Sequence, residues 1–224
     1  MVMGLHREEK EKQKQFQKML YIDTHITQFN LQEALCRVTA QRREQALRYK
    51  SEHNQRLSVA AYMLLCKALS IEYGITEQPL LAWHEGGKPY LPQYPQVHFS
   101  ISHCKEAVAC AVADSLVGVD VESIRPFNEN LARRVLSEEE LLQVMQSPAP
   151  EVAFIRLWTM KESLLKLTGE GIRSDLKKVL QHHQASFHTV MGGGGSFVCT
   201  QASILQGREG EPLMCGISPE CTDY

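Results

Sequence analysis

Two short stretches of this chain carry side chains that could hold a divalent cation and a phosphate ester. Val117-Gly118-Val119-Asp120-Val121-Glu122 supplies two carboxylates, and Trp158-Thr159-Met160-Lys161-Glu162-Ser163-Leu164-Leu165-Lys166 adds a third carboxylate and a lysine. Either stretch alone is a weak signal; the two in this order and at this spacing are a strong one. In the first, apolar and polar residues alternate. A strand would bury its three valines and present Asp120 and Glu122 on the other face, exposed to a cleft. Their Cα atoms would lie about 7 Å apart, two steps of about 3.3 Å. In the second, Trp158, Glu162 and Lys166 fall at i, i+4 and i+8 and so line one helical stripe. The plain alternative is a solvated strand face plus an exposed Glu–Lys pair contributing about 0.3–0.5 kcal/mol. Three oxygen ligands from two elements favour the other reading, since they complete the protein side of a magnesium site whose remaining positions go to phosphate oxygens and water. Glu162 would also be near enough to take a proton from an attacking hydroxyl.

Other polar residues say less. His103 follows Ser102 at the end of an alternating run, between the turn Glu85-Gly86-Gly87-Lys88-Pro89 and the carboxylate strand; that position adds weight to a phosphate contact. Arg42, Arg43 and Arg56 each read as solvated charges on helices. His182, His183 and His188 have no evident carboxylate or cysteine partner and read as surface residues, not metal ligands.

The elements that must position these groups follow from periodicity. Residues 1–18 are charged or amide-bearing and read as an N-terminal extension. Met19 to Asp23 looks like a first strand. Leu31 to Leu69 repeats apolar residues at three- and four-residue steps, as helices do, with Thr39 as a cap. Short strands are expected at Leu80–Trp83, Val97–His103, Ala107–Val112 and Val117–Glu122. Ser137-Glu138-Glu139-Glu140 opens a helix through a capping box. Glu151 to Leu167 is a long amphipathic helix stopped by Gly169. Gly192 to Gly195 joins strands, and Phe197–Ile204 and Pro212–Ile217 close the chain. The order strand, helices, strands occurs twice. It predicts an α+β fold of two halves, residues 19–113 and 114–224, with no visible sequence repeat between them.

Composition narrows the class. The chain has 224 residues, 43% hydrophobic and 22% charged, as in ordinary globular proteins. A net charge of −2 argues against nucleic-acid binding, so cations for a polyanionic ligand must be focused locally. There is no apolar run of membrane-spanning length and no secretory h-region at the N-terminus. Seven cysteines without a CxxC pair argue for a reducing compartment. The expected protein is cytoplasmic and monomeric, with no membrane partner.

At this point Gly86-Gly87-Lys88-Pro89, Phe99-Ser100-Ile101-Ser102-His103, the Gly118–Glu122 strand and the Trp158–Lys166 helix followed by Gly169-Glu170-Gly171 resemble the Sfp-type 4′-phosphopantetheinyl transferases of the holo-carrier-protein synthase superfamily. The pieces occur in family order across roughly residues 40 to 172; the last two motifs are the specific ones. Cys104-Lys105 departs from the small residue and glycine that often follow Ser-His in the family, and the N-terminal extension and glycine run are also atypical. The resemblance implies a transferase with two similar α+β halves in a pseudo-twofold arrangement and coenzyme A in the cleft between them. It implies magnesium-dependent transfer of the 4′-phosphopantetheine arm to a serine of an apo acyl or peptidyl carrier protein, releasing adenosine 3′,5′-bisphosphate. Asp120, Glu122 and Glu162 would hold magnesium, Lys166 a diphosphate oxygen, and Arg56 and His103 the 3′-phosphate of coenzyme A, with Ser102 also at the coenzyme and Lys88 beside the adenosine. Glu162 and Lys166 would be the catalytic pair, Glu162 taking the serine proton directly or through a metal-bound water. The competing readings are a non-catalytic coenzyme A or carrier-protein binding module, which retention of all three carboxylates disfavours, and a metal-dependent phosphodiesterase that uses water.

Overall fold

A computed structural model of the chain describes residues 19–26, 28–171, 175–181 and 183–204. The extension at 1–18, His182 and the closing strand expected at 212–217 lie outside the described residues.

The first half opens with β1 (Leu20–Asp23) and three helices, α1 (Leu31–Arg37), α2 (Ala40–Leu47) and α3 (Glu52–Tyr73). Each helix starts where a side chain replaces the missing backbone acceptor. Asn30 takes the amides of Gln32 and Glu33, Thr39 that of Arg42, and Ser51 that of Asn54. The 22-residue α3 ends at Gly74, whose φ of 66° suits glycine. Its apolar stripe, including Leu57, Leu65 and Leu69, packs in one core with Phe99, Val108 and Val112. Those last residues belong to β4 (His98–His103) and β5 (Val108–Ala113); the hairpin β2 (Ala82–Trp83) and β3 (Pro89–Tyr90) precedes them.

The second half repeats the plan. β6 (Val117–Ser123) is followed by α4 (Glu129–Val135), α5 (Glu138–Met145) and α6 (Pro150–Thr168), then by the hairpin β7 (Ala185–Gly192) and β8 (Phe197–Ile204). The first sheet runs β1-β5-β4 and the second β6-β8-β7, both antiparallel. In each half the opening strand therefore pairs with the last strand of the closing hairpin, so the two expected α+β halves share one connectivity. β4 and β6 lie side by side without a ladder; Val119 N–H donates instead to Ser100 Oγ at 2.9 Å. An apolar core beneath this seam joins alanines of β5 to the valines of β6 and to Phe197 and Cys199.

The capping box at Ser137 is present, with Glu140 returning to the Ser137 amide. The expected strand at Leu80–Trp83 shrinks to Ala82–Trp83, because the Gln41 side chain takes both backbone groups of Leu81 in place of a partner strand. The cysteines among the described residues are free thiols. No helix among them is long and apolar enough to cross a membrane.

Candidate active site

Asp120 stands at the centre of the site, and it is not open to the cleft as its strand pattern predicts. It is 4% exposed. The cause lies two residues earlier. A Cβ on Gly118 would sit 1.9 Å from Ser163 O and 2.6 Å from Leu167 N, so glycine lets α6 lie directly on β6 and cover the polar face of the strand. Asp120 Oδ1 accepts from Lys166 Nζ at 2.7 Å and from Ser102 Oγ at 2.9 Å, and Lys166 also donates to Ser102 Oγ at 2.8 Å. Asp120 Oδ2 is buried with no hydrogen-bond partner. A buried carboxylate oxygen left bare is costly, and such a group calls for a specific explanation.

Glu122 and Glu162 are half-buried beside it. Desolvation raises the pKa of both, and the charge of Asp120 raises each further. Lys166 opposes the shift at both positions. Strand and helix thus bring together the three carboxylates anticipated from the sequence, all hard oxygen donors of the kind magnesium takes. Among the described residues they are not drawn into a closed ligand cluster, and Lys166 sits on the Asp120 oxygen opposite the bare one. The donor set and the orphaned oxygen fit a bound divalent cation.

Two cavities meet at Lys166. One, of about 290 Å³, is lined by Gly86, Lys88, Phe99, Glu162, Lys166 and Gly169. The other, of about 410 Å³, is lined by Arg42, Tyr49, Ser102, His103 and Lys166 among others. His103 is exposed at the cavity wall; desolvation by the surrounding protein, then the Lys166 charge, lowers its pKa.

Arg42 is the functional candidate that the sequence reading passed over. It is 6% exposed, lies 4.9 Å over the Tyr62 ring and reaches Ser58 Oγ at 3.4 Å, with no carboxylate partner among the described residues. Burial lowers its pKa. A desolvated guanidinium on a cavity wall without a counter-charge is suited to an anion. The one signal available beforehand was its place in the first turn after the Thr39 cap, on the side that must meet α3.

Arg56 is held largely within its own helix. Its guanidinium donates to Glu52 Oε1 at 2.8 and 3.1 Å and to the Phe29 carbonyl at 2.6 Å. It is not among the residues lining either cavity, because an i,i+4 partner on its own helix holds it. Lys88 serves both a cavity and the contact between the halves. It lines the smaller cavity, yet its ammonium crosses between the halves to the carbonyls of Leu167 at 2.8 Å and Val117 at 3.3 Å. Desolvation brings its pKa down to about 8. The Gly86-Gly87 turn makes this reach possible, since a Cβ on Gly86 would lie 2.3 Å from Gly169 O.

Comparison with known proteins identifies the family of the chain. A sequence model of the 4′-phosphopantetheinyl transferase superfamily matches residues 116–213, which include Asp120, Glu122, Glu162 and Lys166. A 4′-phosphopantetheinyl transferase of Bacillus subtilis is 30% identical over 156 residues, covering 68% of this chain and 70% of that protein. One from Bacillus pumilus is 34% identical over 138 residues, 60% of this chain and 59% of that protein. The L-aminoadipate-semialdehyde dehydrogenase-phosphopantetheinyl transferase of Saccharomyces cerevisiae is 29% identical over 146 residues, 59% of this chain and 53% of that protein. The chain belongs to the 4′-phosphopantetheinyl transferase superfamily.

Proposed function

We propose that the protein transfers the 4′-phosphopantetheine group of coenzyme A to a serine hydroxyl of an apo acyl or peptidyl carrier protein, with magnesium, and releases adenosine 3′,5′-bisphosphate. The observation that carries this reading is Asp120 Oδ2, buried and unpartnered at a place where the Asp120 charge reaches Glu122 and Glu162. The halves at 19–113 and 114–224, related by a pseudo-twofold, would form the walls of the coenzyme A cleft.

Asp120, Glu122 and Glu162 would hold magnesium, which when bound neutralises charge on the diphosphate. The other steps fall to the chain itself. Lys166 spends two of its three donors on Asp120 and Ser102 and has one left for a diphosphate oxygen. Arg42 and His103, on the wall of the larger cavity, suit the 3′-phosphate, in place of the sequence-based assignment to Arg56. Lys88 lines the adenosine side and holds the two halves together there. The serine oxygen forms the new bond to the phosphorus of the phosphopantetheine. The bond from that phosphorus to the bridging diphosphate oxygen breaks, and the electron pair leaves with the adenosine bisphosphate. The serine proton goes to Glu162, the carboxylate that lines the cavity beside Lys166.

The test is incubation with coenzyme A, magnesium and several apo carriers. The expected result is a carrier mass gain of one phosphopantetheine group, abolished by chelation. Release of adenosine bisphosphate without any carrier gain would mean hydrolysis and would overturn the transfer reading.

A further inference from the structure

Lys161 immediately precedes the proposed base, yet it faces away from the cleft. It is 1% exposed, among the largest fully buried side chains of the protein. Its ammonium donates to Glu140 Oε2 at 2.7 Å and to Leu176 O at 2.6 Å. Glu140 Oε2 also accepts the Ser137 amide at 2.8 Å, closing the capping box of α5. One ammonium thus ties three pieces together: the middle of α6, the first turn of α5, and the segment at 175–181 that follows the glycines at the cavity rim. Leu176 also packs into both apolar clusters flanking α6.

A buried ion pair of this kind is a poor device for stability alone, since apolar residues of similar size often serve as well or better. It does fix direction. Successive side chains on a helix point about 100° apart, as 3.6 residues per turn require. A tether at Lys161 therefore holds the rotation of α6 from the side away from β6, and with it contributes to where Glu162 and Lys166 point. On its other side α6 is bonded to the sheet by Lys166 to Asp120 and by Thr159 Oγ1 to Thr200 Oγ1 at 2.7 Å, so Lys161 supplies the tether to α5 and Leu176 that those bonds do not.

We propose that Lys161 and Glu140 are positioning residues: their buried pair holds α6 in the rotation that aims Glu162 at Asp120 and at the reacting hydroxyl. This rests on the proposed reading of the carboxylates as a cation site.

Two variants separate positioning from mere stability. In Glu140→Gln the side chain keeps its shape and can still accept both hydrogen bonds through its carbonyl oxygen, but Lys161 loses its counter-charge. In the double variant Lys161→Met with Glu140→Leu the tether is gone and the space stays filled with apolar atoms. Measure thermal midpoint, manganese affinity by electron paramagnetic resonance, and kcat and KM for coenzyme A. The expected orders are opposite. The midpoint should be lowest in Glu140→Gln, while manganese affinity and kcat should be lowest in the double variant. Those two losses should be about tenfold or more, the scale seen for partners that orient metal ligands. The KM for coenzyme A should stay near the parent value. If kcat and manganese affinity follow the midpoint instead, the pair is structural and the proposal fails. If the double variant does not fold, Glu140→Gln decides: near-parental manganese affinity and kcat despite a lowered midpoint support positioning, and a tenfold loss of both overturns it. The manganese readout stands whatever the carrier assay gives, so a parent that transfers nothing refutes the transfer reading without touching this one.

Discussion

Asp120 uses its two oxygens differently, so an isosteric change separates their effects. In Asp120→Asn one oxygen can still meet Ser102 and Lys166, while the bare position loses its charge. The expected outcome is a folded protein whose magnesium affinity, read by calorimetry, falls about tenfold or more. Glu162→Gln makes the complementary test. Coenzyme A binding should stay within about tenfold of the parent, about 1.4 kcal/mol, while transfer falls about 10²-fold or more, the scale of a lost general base. Binding and turnover falling in parallel would remove Glu162 from the role of base. The raised pKa values of Glu122 and Glu162 set a pH dependence. Protons compete with the cation, so magnesium affinity should be lost as pH falls through those values, beginning above the range where ordinary carboxylates protonate. Without a cation the sign reverses for stability: charging two desolvated acids costs the fold, so their contribution is full below the ordinary carboxylate pKa and is lost as pH rises through the raised one. Lys88 is the opposite case. Its folded value of about 8 lies below the unfolded one, so its contribution to stability is full above the unfolded pKa and is lost as pH falls through about 8. Amine-reactive labelling followed by mass spectrometry should give Lys88 a midpoint near that pH, and a midpoint at the ordinary lysine value would contradict its burial. At this scale the sequence revealed the carboxylates, because type and spacing carry that information. It hid Arg42, because charge alone does not say which guanidinium α2 and α3 will bury between them.

At the scale of elements, the contact of β6 with α6 makes the site. Gly118→Ala would place a methyl group against two backbone atoms of α6, neither of which can rotate aside. Such overpacking costs about 1–3 kcal/mol, and the strand must shift away from Glu162 to accept it. A lowered thermal midpoint together with lost magnesium binding is expected; normal values of both would show that the helix has room. β6 and α6 were readable because their periods are unmixed and α6 is stopped by Gly169. β7 was not, since its residues are nearly all half-buried and give no alternation to read. α4 was missed because seven residues capped by Asn128 make too short a pattern to stand out. Leu80–Trp83 looked like a longer strand because no local pattern announces that a distant glutamine will satisfy Leu81.

For the whole molecule, the repeated order of strand, helices and strands already indicated two α+β halves. The shared connectivity was invisible as sequence similarity because only the apolar pattern, not residue identity, is needed to build each sheet. A chain shortened to begin at Met19 keeps β1 and the carbonyl of Met19 that accepts from Val112. It should retain transfer at near the parent rate; a folded but inactive product would assign residues 1–18 to the site or to carrier docking. The seam between β4 and β6 has a broader meaning. Two edge strands that approach closely would normally zip into one six-stranded sheet and leave a flat surface. Here a serine hydroxyl occupies a main-chain amide of β6, so the two edges stay separate sheets. The two sheets stay distinct because a ladder was never completed, and replacing Ser100 with alanine would free that amide to begin joining them.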